Sequence, residues 1–201
     1  MNMNRDFKEA LRHRRSCYAI DGGSPIPDQE IQSIVDFVLL HTPSAFNSQS
    51  TRIVLLLNEH HTKLWNIVME TLRCIVPATN FEPTERKIND FAVGHGTALF
   101  LEDQNVVKDL QARFSTYAAN FPIFAQHTSA MHQLALWILL EDAGFGASLQ
   151  HYNPIIDAKV RETWGFDESW TLVAQMPFGR LVEPAGAKEY EPLEKRRIFF
   201  T

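Results

Sequence analysis

The chain has 201 residues, with 19 basic against 24 acidic side chains for a formal net charge of −5, and 45% of its residues are hydrophobic. That size and composition describe a single folded domain and exclude disordered, collagen-like and low-complexity classes. The mildly acidic balance supplies no general attraction to phosphate backbones or anionic membranes, so no nucleic-acid or membrane partner is expected.

In chain order, Phe7, Ala10 and Leu11 share a helical face within residues 5–15, and Arg12, His13, Arg14 and Arg15 stand at the end of that helix. Asp21-Gly22-Gly23-Ser24-Pro25 reads as a turn. Pro27-Asp28 opens a second helix with an Ile31, Ile34, Val35, Val38 stripe, ending near His41-Thr42-Pro43 because the residue before a proline avoids helical geometry. A polar loop, residues 43–50, then leads into a buried strand at Arg52-Ile53-Val54-Leu55-Leu56-Leu57. A helix over residues 62–74, turns over 77–83, a helix from Thr84 and a strand over residues 97–101 follow. Residues 128–143 form the most apolar helix, one that must be buried all round, in the domain centre or a subunit interface. Gly144-Phe145-Gly146 stops it, and residues 168–176 supply a further strand. An arm, about residues 181–201, carries Pro184 and Gly186 and ends in Ile198-Phe199-Phe200.

Cys17 and Cys74 are too few for a disulfide framework and stand in no metal-type spacing, which fits a reducing compartment. Met1 to Asp6 lacks the apolar stretch of a secretory leader, and the Leu134 to Leu140 run is far short of a membrane span, so a cytoplasmic location is expected. His127 and His132 are five apart and His60-His61 adjacent, neither matching a zinc helix motif, so no metal is assigned. Gly144-x-Gly146 and Gly94-x-Gly96 lack the third glycine of a dinucleotide fingerprint.

Three constellations carry candidate chemistry. Arg14-Arg15-Ser16 places two guanidinium forks and a hydroxyl together, suited to a phosphate dianion or, more simply, to capping a basic last helical turn. Residues 43–49 concentrate hydroxyls and carboxamides that read the polar edge of a planar heterocycle, or serve as an ordinary polar connection. Residues 144–154 combine small residues whose backbone N–H groups approach a ligand closely, the simpler alternative being a glycine cap and loop.

In this order and spacing, Arg14-Arg15-Ser16, Pro43-Ser44 with Asn47 and Gln49, and Gly144 to Tyr152 resemble the nitroreductase-like family of FMN-dependent oxidoreductases over nearly the whole chain. Residues 96–103 and Ser148-Leu149-Gln150-His151-Tyr152-Asn153-Pro154 are similar to the branch of small bacterial proteins related to the fungal fatty-acid-repression proteins. The resemblance implies an α+β nitroreductase-like fold, a central mainly antiparallel sheet flanked by helices in an intertwined homodimer, with residues 1–201 as one domain whose arm serves dimerisation. It implies FMN as cofactor and NAD(P)H as electron donor, with nitroaromatics, quinones or similar small-molecule acceptors reduced in a ping-pong hydride cycle. A flavin-binding regulatory or stress protein with little turnover is the alternative it leaves open.

By the same resemblance, Arg14 and Ser16 hold the phosphate and ribityl end, and Arg15 the pyrimidine edge or ribityl chain. Ser44, Ala45 and Asn47 line the ring from the partner subunit, Gln150, His151 and Tyr152 approach its N5 and O4 atoms, and Lys87 reaches its O2 side. Lys188 matches the first basic residue of the family's K-x-R phosphate grip, but Tyr190 stands where the arginine would be. His151 likewise replaces the family's acidic residue beside N5, and no side chain is assigned as a nucleophile or metal ligand.

Overall fold

The computed structural model describes residues 5–201. The leader reading for Met1 to Asn4 lies outside them. Helix α1 (Phe7–His13) opens on Asp6, whose side chain accepts from the Glu9 N–H. Strand β1 (Ile20–Asp21), helix α2 (Asp28–His41), strand β2 (Thr51–Leu57), helix α3 (Asn58–Arg73) and helix α4 (Glu82–Ala92) follow. Strand β3 (Gly96–Asp103), helix α5 (Gln104–Arg113), helix α6 (Phe121–Asp142), strand β4 (Phe145–Ala147), helix α7 (Asp157–Trp164) and strand β5 (Trp170–Leu181) complete the order. After β5, residues 182–201 form an arm with one short turn at Leu193–Lys195.

The sheet is antiparallel, with β2 paired to β3, β3 to β5, and both β1 and β4 to β5. Phe178 pairs with Gly96 and with Ala147, so β3 and β4 occupy opposite edges of β5. A single parallel bridge joins Ser16 to Ala147.

Alternation along β3 sends Ala98 and Phe100 into one core with Ile31, Val35, Leu136 and Leu140. Leu99 and Leu101 enter the other with Leu64, Trp65, Ile88 and Val160. Helices α2 and α6 therefore cover one face and α3, α4 and α7 the other, which is why β2 and β3 read as near-continuous apolar runs.

Several boundaries differ from expectation. Helix α3 starts four residues before Thr62, since His61 is drawn into the core by Thr97 and Ala92. Helix α6 begins at Phe121 rather than residue 128, with Pro122 tolerated in a first turn whose N–H groups need no intrahelical acceptor. Within the chain α6 is not covered all round, because Met131 and Leu134 are 41% and 43% exposed. The segment expected only to stop this helix forms β4, and the last strand continues to Leu181, five residues beyond Met176. Helices α5 and α7 had no counterpart in the sequence pattern.

Candidate functional site

The first residues of the site leave α1 together. Arg14 and Arg15 are half-buried, Ser16 is exposed, and the Cys17 N–H donates to the Ala147 carbonyl at 2.9 Å. Gly146 permits this approach, since a Cβ there would stand 2.9 Å from Ile20 Cγ2 and 3.1 Å from Cys17 Cβ. The Arg14 guanidinium carbon lies 4.4 Å from the Trp137 ring centroid, and its buried Nε has no hydrogen-bond partner among the described residues. His13 Nδ1 meets Glu141, and Arg5 meets Asp142 at 3.4 Å, fixing α1 to the end of α6. Burial, and secondarily Glu141, pushes the Cys17 thiol up in pKa.

Three residues further along β5, Gln150 and Gln175 exchange backbone hydrogen bonds of 2.7 and 2.9 Å. The buried Gln175 side chain accepts the Tyr152 N–H at 2.7 Å and donates to Asn153 at 3.4 Å. These bonds order the backbone around the exposed His151. The Tyr152 ring meets Trp65 edge-on at 5.8 Å, and burial, with a contribution from Tyr18, pushes its phenol up to about 12.

Lys87 is exposed on α4 with its Nζ 5.8 Å from the Phe91 centroid, and Phe91 contacts both Tyr18 and Trp65. That aromatic chain links Lys87 to Tyr152. Lys188 is exposed, 5.2 Å from the Tyr190 ring. Three residues earlier the Ala185 backbone lies against the Cys17 thiol, so the arm returns beside the Arg14 to Ser16 segment.

Ser44, Ala45 and Asn47 are not brought to this cradle within the chain. Their loop delivers Thr51 opposite Glu102, whereas Ala147 is registered to Phe178 and Gly96 at the other end of β3. Seven residues of extended strand separate the two, on the order of 20 Å. The loop has three non-glycine residues in left-handed conformation, Phe46, Asn47 and Gln49, at φ of 57°, 50° and 49°. Each left-handed residue costs on the order of 1 kcal/mol, so surrounding contacts must impose the shape.

Sequence reasoning passed over Trp137, Gln175 and Glu102. Trp137 is hidden in an apolar helix and carries no polar signal. Gln175 and Glu102 did carry one, since each is a polar residue inside a strand buried on both faces. No group of three or more residues suited to a metal ion occurs among the described residues, and no helix there is long and apolar enough to cross a membrane.

Comparisons with known proteins identify the family and the fold. The Nitroreductase family pattern matches residues 11–180. HBN1 of Saccharomyces cerevisiae is 39% identical over 186 residues, covering 92% of each chain. The nitroreductase FRM2 of the same yeast is 29% identical over 181 residues, covering 89% of this chain and 90% of its own. Nitroreductase CinD from Lactococcus lactis, solved with nicotinic acid, superposes with a TM-score of 0.90 at 36% identity, over 98% of this chain and all of its own. It has also been solved with chloramphenicol and with 4-nitrophenol. A structure from Desulfovibrio desulfuricans that holds FMN shares the fold, with a TM-score of 0.72 at 12% identity over 98% of both chains. With its antiparallel sheet between two helical layers and its match over most of the chain, the protein belongs to the nitroreductase family.

Proposed function

We propose that the chain is an FMN-dependent NAD(P)H oxidoreductase, working as a cytoplasmic homodimer and reducing nitroaromatics, quinones or similar acceptors in a ping-pong cycle. The observation that carries this reading is the cradle, where Arg14, with its unpartnered buried Nε, stands beside the close approach of Ser16 and Ala147. A guanidinium whose Nε lacks a partner beside this main-chain junction fits a phosphate. FMN bound there supplies hydride acceptance from a nicotinamide and its return to an acceptor.

The protein's own part is positional and electrostatic. Arg14, Arg15, Ser16 and Lys188 hold the phosphate and ribityl end. The backbone at His151, set between the Gln150 and Tyr152 amides that Gln175 engages, faces the reacting edge, and Lys87 offers a positive charge to the ring's polar side. Ser44, Ala45 and Asn47, remote within one chain, are supplied by the partner subunit. The exposed Met131 and Leu134 on α6 and the apolar end of the arm support such an association. CinD complexes with nicotinic acid and 4-nitrophenol support planar aromatic ligands for this chain as well.

The test is the absorption spectrum of the purified protein followed by NADH and NADPH oxidation with 4-nitrophenol, chloramphenicol and a quinone. Bound oxidised flavin with acceptor-dependent turnover is expected. Bound flavin without turnover on any pair replaces the enzyme with a flavin-binding regulatory protein, and failure to bind FMN removes both.

A further inference from the structure

The 44–49 loop presents a problem that its own sequence does not solve. Three of its residues, none of them glycine, are left-handed, and Asn47 and Gln49 are exposed. Hydrogen bonds inside the loop, Gln49 N–H to Ser44 Oγ at 3.0 Å and Asn47 N–H to Ser44 O at 3.0 Å, close it on itself but do not place it on the sheet.

What places it is a set of charged side chains behind it. Glu102, on β3, is fully buried and accepts from Ser50 Oγ at 2.6 Å and from Thr51 Oγ1, the two residues that follow the loop. Arg52 donates from Nη1 to the Gln49 carbonyl at 2.7 Å and from Nη2 to Asp103 at 2.9 Å. The Arg52 guanidinium is in turn 5.7 Å from the Trp170 ring. On the opposite side, Phe46 contacts the rings of Phe114, Tyr117 and Phe121. A buried carboxylate in a strand that otherwise reads Gly-Thr-Ala-Leu-Phe-Leu is energetically unfavourable as core filling, and a leucine would serve that purpose better. Its two hydroxyl partners both belong to the loop's exit.

We infer that Glu102 and Arg52 are positioning residues that clamp the 44–49 loop in its left-handed form, so that Ser44, Ala45 and Asn47 meet the flavin ring already in shape. The clamp is visible in the chain itself; its purpose rests on the FMN reading above. It acts by lowering the ordering cost of binding, because a loop held in its bound geometry has less freedom to lose.

The test uses the full-length dimer with Arg52→Met, Glu102→Leu and the conservative Glu102→Gln, which retains an acceptor for one hydroxyl. Amide hydrogen exchange at Asn47, Ser48 and Gln49 is measured in flavin-free protein, and FMN affinity by fluorescence titration of the same samples. Arg52→Met and Glu102→Leu are expected to raise exchange at these three amides and to weaken FMN binding, each by about tenfold, with Glu102→Gln near wild type. A role in general stability would raise exchange throughout β2 and β3 and not at these three amides alone, and it would not be rescued selectively by Glu102→Gln. Arg52 is partly exposed, so Arg52→Met keeps the test decisive if Glu102→Leu fails to fold. Wild-type exchange in Arg52→Met overturns the clamp, whatever FMN does. Altered exchange with unchanged FMN affinity overturns its purpose, and a wild-type protein that binds no FMN removes that purpose together with the reading beneath it.

Discussion

Around Arg14 the chain is held by main chain, through the Ser16 to Ala147 bridge, the Gln150 to Gln175 pair and the β4–β5 ladder, whereas around Phe46 it is held by side chains reaching from β2, β3 and the aromatic cluster. The first region is rigid because strand register admits one arrangement. The second is ordered against its own torsional preference and depends on a few polar contacts. The cradle is thus sensitive to backbone fit and the loop to side-chain chemistry, and substitutions separate the two.

The largest effect is expected from Gly179→Ala, whose Cβ would stand 2.1 Å from the Asp21 carbonyl oxygen and force β1 off β5. A loss of about 3 kcal/mol or more, a fall in Tm of roughly 6–12 °C, is expected in thermal unfolding. An unchanged Tm would show that main-chain fit does not govern this region.

Next comes acid. His61, beneath the Trp65 to Tyr152 contact, is held neutral, its pKa lowered by burial from 6.5 to about 4. The unfolded chain takes up that proton first as pH falls, so stability present above pH 6.5 declines down to about pH 4, by up to about 3 kcal/mol. Glu102 works in the opposite sense. Burial raises its pKa, so the folded state binds the proton more readily, and stability from this group is gained as pH falls toward the ordinary carboxylate range. Denaturant melts across pH should show His61→Gln flattening the acid limb; a limb of wild-type steepness contradicts the assignment.

Arg14→Ala should weaken FMN retention by about thirtyfold, the loss of a charge-assisted hydrogen bond worth ~2 kcal/mol, and more than Arg196→Ala does. Flavin content after gel filtration compares them, and equal retention removes Arg14 from the phosphate grip. The smallest effect runs the other way: Gln49→Gly should stabilise by about 0.5 kcal/mol, since glycine carries no penalty at a φ of 49°. A lower Tm would mean that the loop is not strained.

These contrasts also explain what the sequence disclosed. Helix α2 and strands β2 and β3 were legible because their apolar pattern coincides with their burial. Helix α5 was missed because only Val107 and Leu110 of its ten residues are buried, and α7 because it buries Val160 alone. Strand β4 is three residues long and has no period to detect; it exists because β5 offers a free edge. In the candidate site, Arg14-Arg15-Ser16 and residues 150–152 were singled out by type and order, and the structure ties Ser16 to Ala147 and Gln150 to Gln175. The loop residues were singled out as well, but their left-handed torsions were invisible, since no glycine marks them. Lys188 was singled out by its match to the family's K-x-R pattern, and the contact of the arm's Ala185 backbone with Cys17 emerged only from the path of the arm.

Strand β5 has a further consequence in time. It is the partner of β1, β3 and β4, and its residues emerge last among the strands during synthesis. Until Leu181 has left the ribosome, Ile20 has no partner, and until Gln175 has done so the Tyr152 amide has none. The β2–β3 pair and the helices around it can form earlier, leaving the β1 and β4 pairings and the Gln150–Gln175 contact to the final step of a topology with long sequence separations. A nascent chain stalled before Trp170 therefore carries Arg14, Arg15 and Ser16 without Lys188 and without the strand that orders the backbone of residues 145–152.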